Sequence, residues 1–90
     1  MMDGTILRWH VERFPSATLA DVGIKLAEEV GEVCRAIDRI NFDADGDWWA
    51  NIEDEIGDCC IVLAVLAERF CDVSVEELVR RRFDVVRRRF

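Results

Sequence analysis

Residues 19–40 read LADVGIKLAEEVGEVCRAIDRI. Leu19, Val22, Leu26, Val30, Val33, Ile37 and Ile40 recur there at steps of three and four, the spacing of one helical face. The stretch predicts a long amphipathic helix with Thr18 as its N-cap. On its N-terminal side, Ile6, Leu7, Trp9 and Phe14 predict a short amphipathic helix over about 4–14, stopped by Pro15. On its C-terminal side, a turn-rich segment over 41–47 leads to a third helix over about 48–70. A fourth runs from Val75 to about Arg89, opened by Ser74 and Glu77 at the spacing of a capping box. With one proline, no tyrosine and no repetitive stretch, the chain reads as a single all-α domain over 1–90. Its expected architecture is a four-helix bundle around a central antiparallel helical hairpin.

The third helix sets a further condition. Residues 59–67, CCIVLAVLA, are apolar on every side, so one neighbouring helix cannot cover them. Ninety residues lie near the small end of what folds unaided, and 51% apolar content leaves little surplus. Completion of the bundle by oligomerisation is therefore expected.

The formal charge of −7 argues against nucleic acid or an anionic membrane as a general partner. Six arginines between Glu76 and Phe90 make the tail basic and the remainder strongly acidic. The run 59–67 is too short to span a bilayer, and the first residues are too polar for a signal peptide. Cys34, Cys59, Cys60 and Cys71 have no Cys-x-x-Cys spacing and read as small core residues in a reducing compartment. With His10 as the single histidine, zinc is disfavoured and His10 has no evident catalytic partner. A cytoplasmic location is expected.

The acidic residues carry the chemistry. At roughly 100° per residue, Glu29 and Glu32 lie roughly 80° and 140° to one side of the second helix's stripe, centred near Leu19, Val30 and Ile37. Glu55 and Asp58 lie roughly 60° and 120° to the same side of the third helix's stripe, centred near Ile52, Leu63 and Phe70. In an antiparallel pair, edges on the same rotational side emerge on one face. Glu29 and Asp58 are also equidistant from the middle of the connection, as are Glu32 and Glu55. Four carboxylates are thus expected to converge, an arrangement that repels itself unless cations are bound. All-oxygen ligation points to Mg²⁺, with Mn²⁺ as the alternative, and to a phosphate ester or anhydride as substrate. A solvated acidic face is the competing explanation.

A calcium loop starting at Asp43 is the other metal reading. Asp43, Asp45 and Asp47 occupy its first, third and fifth positions, but Trp48 falls where glycine is needed and Asp54 where a bidentate Glu is needed. These aspartates read instead as turn chemistry that closes the hairpin and caps the third helix.

KLAEEVGEVCRAI (25–37) followed by EDEIGDCCIVLAVLA (53–67) resembles the MazG-like, all-α nucleoside triphosphate pyrophosphohydrolase superfamily, whose signature is Glu-Glu-x-x-Glu, a spacer, then Glu-x-x-Asp. The likeness runs from ERFP at 12–15 to the closing RRRF. It implies hydrolysis of a nucleoside triphosphate to monophosphate and pyrophosphate, by a homodimer or dimer of dimers whose pocket is shared between subunits. By position it implies Glu29, Glu32, Glu55 and Asp58 as Mg²⁺ ligands. Glu28 is a candidate for orienting or deprotonating water, or for a further metal, against a plain surface glutamate. Lys25, the only lysine in this arginine-rich chain, is a candidate catalytic ammonium, against an ordinary i,i+4 pair with Glu29. In the tail, Arg82 stands where relatives carry a Lys-containing segment reaching a phosphate or the base, and Arg89 follows. Val86 stands where relatives often have Asn. Trp48 is a candidate for stacking a base, with Trp49 beside it; packing is the competing role. A non-catalytic helical dimerisation or regulatory module of the same fold is the alternative function.

Overall fold

The computed structural model describes residues 4–42, 46 and 48–90. Helix α1 (Thr5–Arg13), α2 (Leu19–Phe42), α3 (Trp49–Val65) and α4 (Val75–Arg89) are joined in that order, and the described residues include no strand. The predicted third helix is not uniform to its end, because Leu66–Phe70 widens into a π-helical turn. Asp43, Asp45 and Asp47, read above as the turn that closes the hairpin, lie outside the described residues. Helix α3 begins after Trp48, whose side chain makes no capping hydrogen bond.

Each boundary has a local cause. Gly4 precedes α1 at φ 89°, a left-handed conformation that glycine adopts without steric cost. Thr18 caps α2 with a reciprocal pair: its Oγ1 accepts the Asp21 N–H at 3.1 Å, and its own N–H donates to Asp21 Oδ2 at 2.9 Å. After the π turn, Asp72 reverses the chain in the left-handed region at φ 56°, which Asp tolerates better than most side chains. Ser74 Oγ then accepts the Glu77 N–H at 3.1 Å and starts α4. Only half of the expected capping box forms there, because the Glu77 carboxylate turns outward to Arg80 and Arg81.

That diversion has a pH signature. Hydrogen bonds from Arg80 and then Arg81 hold the Glu77 carboxyl at about 2, below its ordinary 4.5. A lowered carboxyl pKa stabilises the fold fully above the ordinary value and loses that effect as pH falls from there toward 2. Helical circular dichroism should therefore fall across that window, and Glu77→Gln should remove the step. An unchanged acid limb in the variant would show that the pair contributes nothing.

The hairpin of α2 and α3 is the centre of the fold, with α1 packed on α3 and the π turn on α2. Its buried seam is narrow and made of small residues: Val22 and Ala36 on α2, Ala64 and Val65 on α3, and Ala67 in the π turn. Val22, Glu29 and Ala36 are seven residues apart, so they form one line along α2. The contact line therefore runs through Glu29 rather than through the centre of the apolar stripe. Leu19, Val30 and Ile37, the stripe's expected centre, are exposed. Alanine at three of the five seam positions lets the elements approach closely, and this rotates the larger side chains outward.

Much apolar surface is left over. Among the described residues no large side chain is fully buried, and Ile56, Ile61, Val79 and Phe83 are exposed. Cys34, Cys60 and Cys71 are exposed too and Cys59 half-buried, where a core position was expected; all four are free thiols. The accessible surface is 6720 Å², against about 5400 Å² for a folded monomer of 10.4 kDa. The radius of gyration, 15.3 Å, likewise exceeds the roughly 12 Å of a compact chain of this length. Helix α4 accounts for much of the excess, since it has little contact with the other helices.

Candidate metal centre

Glu29 descends into the seam between Val22 and Ala36, which leaves its side chain only 12% exposed. Opposite it on α3, Asp58 lies one heptad before buried Val65, and Glu55 one turn earlier. Each of these three residues offers a carboxylate oxygen within 4.8 Å of the others. Three carboxylates at that separation, one of them largely withdrawn from water, destabilise one another as anions. A divalent cation relieves the repulsion, and an all-oxygen donor set suits Mg²⁺ or Mn²⁺.

The other expected ligand stands apart. Glu32 lies about 60° around α2 from Glu29, off the seam. It is half-exposed and ion-paired with Arg35, one turn on. Its hydrogen bond to Arg35, and then the Arg35 charge, lower its pKa. Glu32 is thus held as a carboxylate beside the triad but facing a different cation.

Lys25 bridges toward the triad from the preceding turn of α2. Its Nζ lies 3.1 Å from Glu29 Oε1 and 3.6 Å from exposed Glu28 Oε2. The hydrogen bond to Glu29 is the main reason that its pKa is raised, so the ammonium persists at neutral pH. Glu55 is oriented by residues that the sequence did not single out. Arg39 Nη1 donates to Asn51 Oδ1 at 3.1 Å, and Asn51 Nδ2 reaches Glu55 Oε1 at 3.5 Å. The one signal for Asn51 was its place four residues before Glu55 on the same helical face.

Beside the triad opens a cavity of about 530 Å³, in the size range of small-molecule sites. Glu29, Asp58 and Lys25 supply charge at its wall, and Val22 and Val65 line its apolar part. Trp9, His10 and Phe14 of the α1 region form its aromatic side. These three rings contact one another, with Trp9 and Phe14 edge-on at 5.9 Å and His10 and Phe14 centroids at 5.3 Å. The aromatic wall was not anticipated, because the α1 residues read as ordinary helix packing.

A glutamate signature on a helical hairpin, three convergent carboxylates and an adjoining cavity agree with a match found by comparison. The model of the MazG nucleotide pyrophosphohydrolase domain matches residues 18–89. The chain belongs to this MazG family. No curated protein and no solved structure matches it significantly. The match starts at the Thr18 cap and ends with α4, so the hairpin and the tail helix are both family elements of this MazG chain, whereas the aromatic wall lies upstream of it.

The remaining candidates of the MazG chain lie away from the cavity wall. Trp48 packs at the end of the hairpin, with the Arg39 guanidinium 5.7 Å from its ring centroid and Gly46 pressed against its indole nitrogen. A Cβ at Gly46 would lie 2.2 Å from that atom, so the close approach requires glycine. Trp49 is largely exposed. Arg82 and Arg89 stand exposed on α4, and among the described residues neither has an ion-pair partner. No described helix is long and apolar enough to cross a membrane.

Proposed function

We propose that this MazG-family chain is a Mg²⁺-dependent pyrophosphohydrolase that cleaves a canonical or modified (deoxy)nucleoside triphosphate to the monophosphate and pyrophosphate. The observation that carries the reading is the meeting of Glu29, Glu55 and Asp58 beside a nucleotide-sized cavity in a chain of this family. The donor set fits the ion: hard carboxylate oxygens, no sulfur or imidazole, and an open side toward the cavity. Glu29, Glu55 and Asp58 would hold Mg²⁺, and Glu32 is the further ligand available once Arg35 releases it. Bound there, the ion supplies neutralisation of the phosphate oxygens and fixes the anhydride for in-line attack.

The chain's own residues do the rest. Glu29 is fixed by burial between Val22 and Ala36, and Glu55 by Asn51, so neither must reorganise when phosphate arrives. Lys25 holds a cation at the cavity wall, where it offsets phosphate charge against an otherwise acidic surface. Glu28 lies outside the triad and is joined to it through Lys25, which suits a role in orienting or deprotonating water at its exposed carboxylate. Arg82 and Arg89 are cations without a partner of their own among the described residues, available to phosphates or to the base once α4 is docked. Trp48 would contribute stacking only if its Arg39 cover moved.

The working state is a homodimer or dimer of dimers. An excess of roughly 1300 Å² of surface exceeds the ~800 Å² that one partner contributes to a standard interface. The exposed apolar residues of α3 and α4 are the surface that such assembly would cover.

Incubating the chain with a panel of nucleoside triphosphates and Mg²⁺, with pyrophosphate and monophosphate read separately, tests the activity. Pyrophosphate release that needs the divalent ion is the expected result. Absence of turnover on every nucleotide would mean an inactive helical module with the same fold.

A further inference from the structure

The aromatic side of the cavity contains one polar ring, and its hydrogen-bonding state is fixed by a neighbour. Arg69, in the π turn, places Nη1 2.8 Å from His10 Nδ1. The same guanidinium donates to the Phe14 carbonyl at 2.9 Å and to the Pro15 carbonyl at 3.0 Å. Arginine offers only donors at any physiological pH, so His10 Nδ1 must be the acceptor in this contact. The ring proton is therefore on Nε2. Burial, and then the Arg69 charge, also lower the His10 pKa, which keeps the ring neutral. Nε2–H has no partner among the described residues, although the ring lines the cavity with Trp9, Phe14, Glu29 and Asp58.

We infer that His10 is a base-reading residue, donating from Nε2–H to a carbonyl oxygen of a nucleobase held against Trp9 and Phe14 while the phosphates lie toward Glu29 and Asp58. Arg69 is a positioning residue, since it acts on the base through His10, by fixing the tautomer. The inference rests on the nucleotide reading above and adds a specificity to it. A base with an exocyclic carbonyl gives the donor its acceptor, whereas an amino group there would set donor against donor. Inosine triphosphate should accordingly be preferred to adenosine triphosphate, which differ at that substituent.

Two measurements on the full chain decide the matter. His10 is the only histidine, so imidazole nitrogen spectra report it without ambiguity. The Nε2–H tautomer is expected in the free protein, and its proton signal should shift on adding inosine triphosphate but not ribose 5-triphosphate. In kinetics, His10→Phe should raise KM for inosine triphosphate about tenfold, the effect of one lost hydrogen bond, with kcat little changed. It should also erase the preference over adenosine triphosphate. His10→Gln retains an acceptor for Arg69 and a donor for the base, and should restore most of the loss. A ring signal indifferent to the base would overturn the inference, as would equal KM rises with and without a base. Should the wild type cleave no triphosphate, the hydrolase reading fails, while the binding-induced shift of the ring still decides the role of His10.

Discussion

Asp58→Asn should reduce Mg²⁺-dependent pyrophosphate release by on the order of a thousandfold while leaving the helical content intact. Asparagine keeps the shape of the side chain but removes its charge and halves its capacity as a hard-oxygen donor. A bound divalent ion is worth several kcal/mol at developing phosphate charge, and each 1.36 kcal/mol is tenfold in rate. The same substitution separates a ligand from a structural residue. Asp58 is exposed and one of three carboxylates within 4.8 Å, so without metal its charge opposes folding. The metal-free variant should melt no lower than the wild type, and the rise in Tm that Mg²⁺ gives the wild type should shrink or vanish. Full activity in Asp58→Asn would remove the carboxylate centre from the mechanism.

Phe83→Glu should dissociate the proposed homodimer. Phe83 and Val79 are each 58% exposed on a helix that barely touches the remainder of the chain. Covering the exposed part of one such ring contributes about 1–2 kcal/mol, and a two-fold interface counts it twice. The dissociation constant should therefore rise by about two to three powers of ten, read by sedimentation over a concentration series. The tail helix should become more mobile in hydrogen exchange at the same time. A wild-type chain that sediments as a monomer at high concentration would show that α4 closes against something other than a second copy.

The fold was legible because its signals are local. The step-three-and-four pattern along 19–40, Thr18 as a cap, Pro15 as a stop and Ser74 before the last helix each act over a few residues. The π turn was not legible, since LAERF is compatible with continued α-helix, and Arg69 within it bonds to the Phe14 and Pro15 carbonyls more than fifty positions back. The site was legible in part. Spacing gave the rotational side and the register that level Glu29 with Asp58. It could not separate Glu29 from Glu32, because the difference is one of rotation: the seam passes through the first and leaves the second to Arg35. The stripe misled here, since its centre was inferred from the largest side chains, whereas contact follows Ala36 and Ala64.

The sequence by itself determined an all-α chain, a central hairpin and an acidic signature suited to a hard cation, because helix periodicity and carboxylate chemistry are properties of neighbours along the chain. Tertiary structure decided which three carboxylates meet, that Asn51 and Arg39 steady one of them, and that Arg69 fixes the tautomer of His10 across 59 positions. Those outcomes depend on how close two helices can come, and that distance is set jointly by the small residues on both.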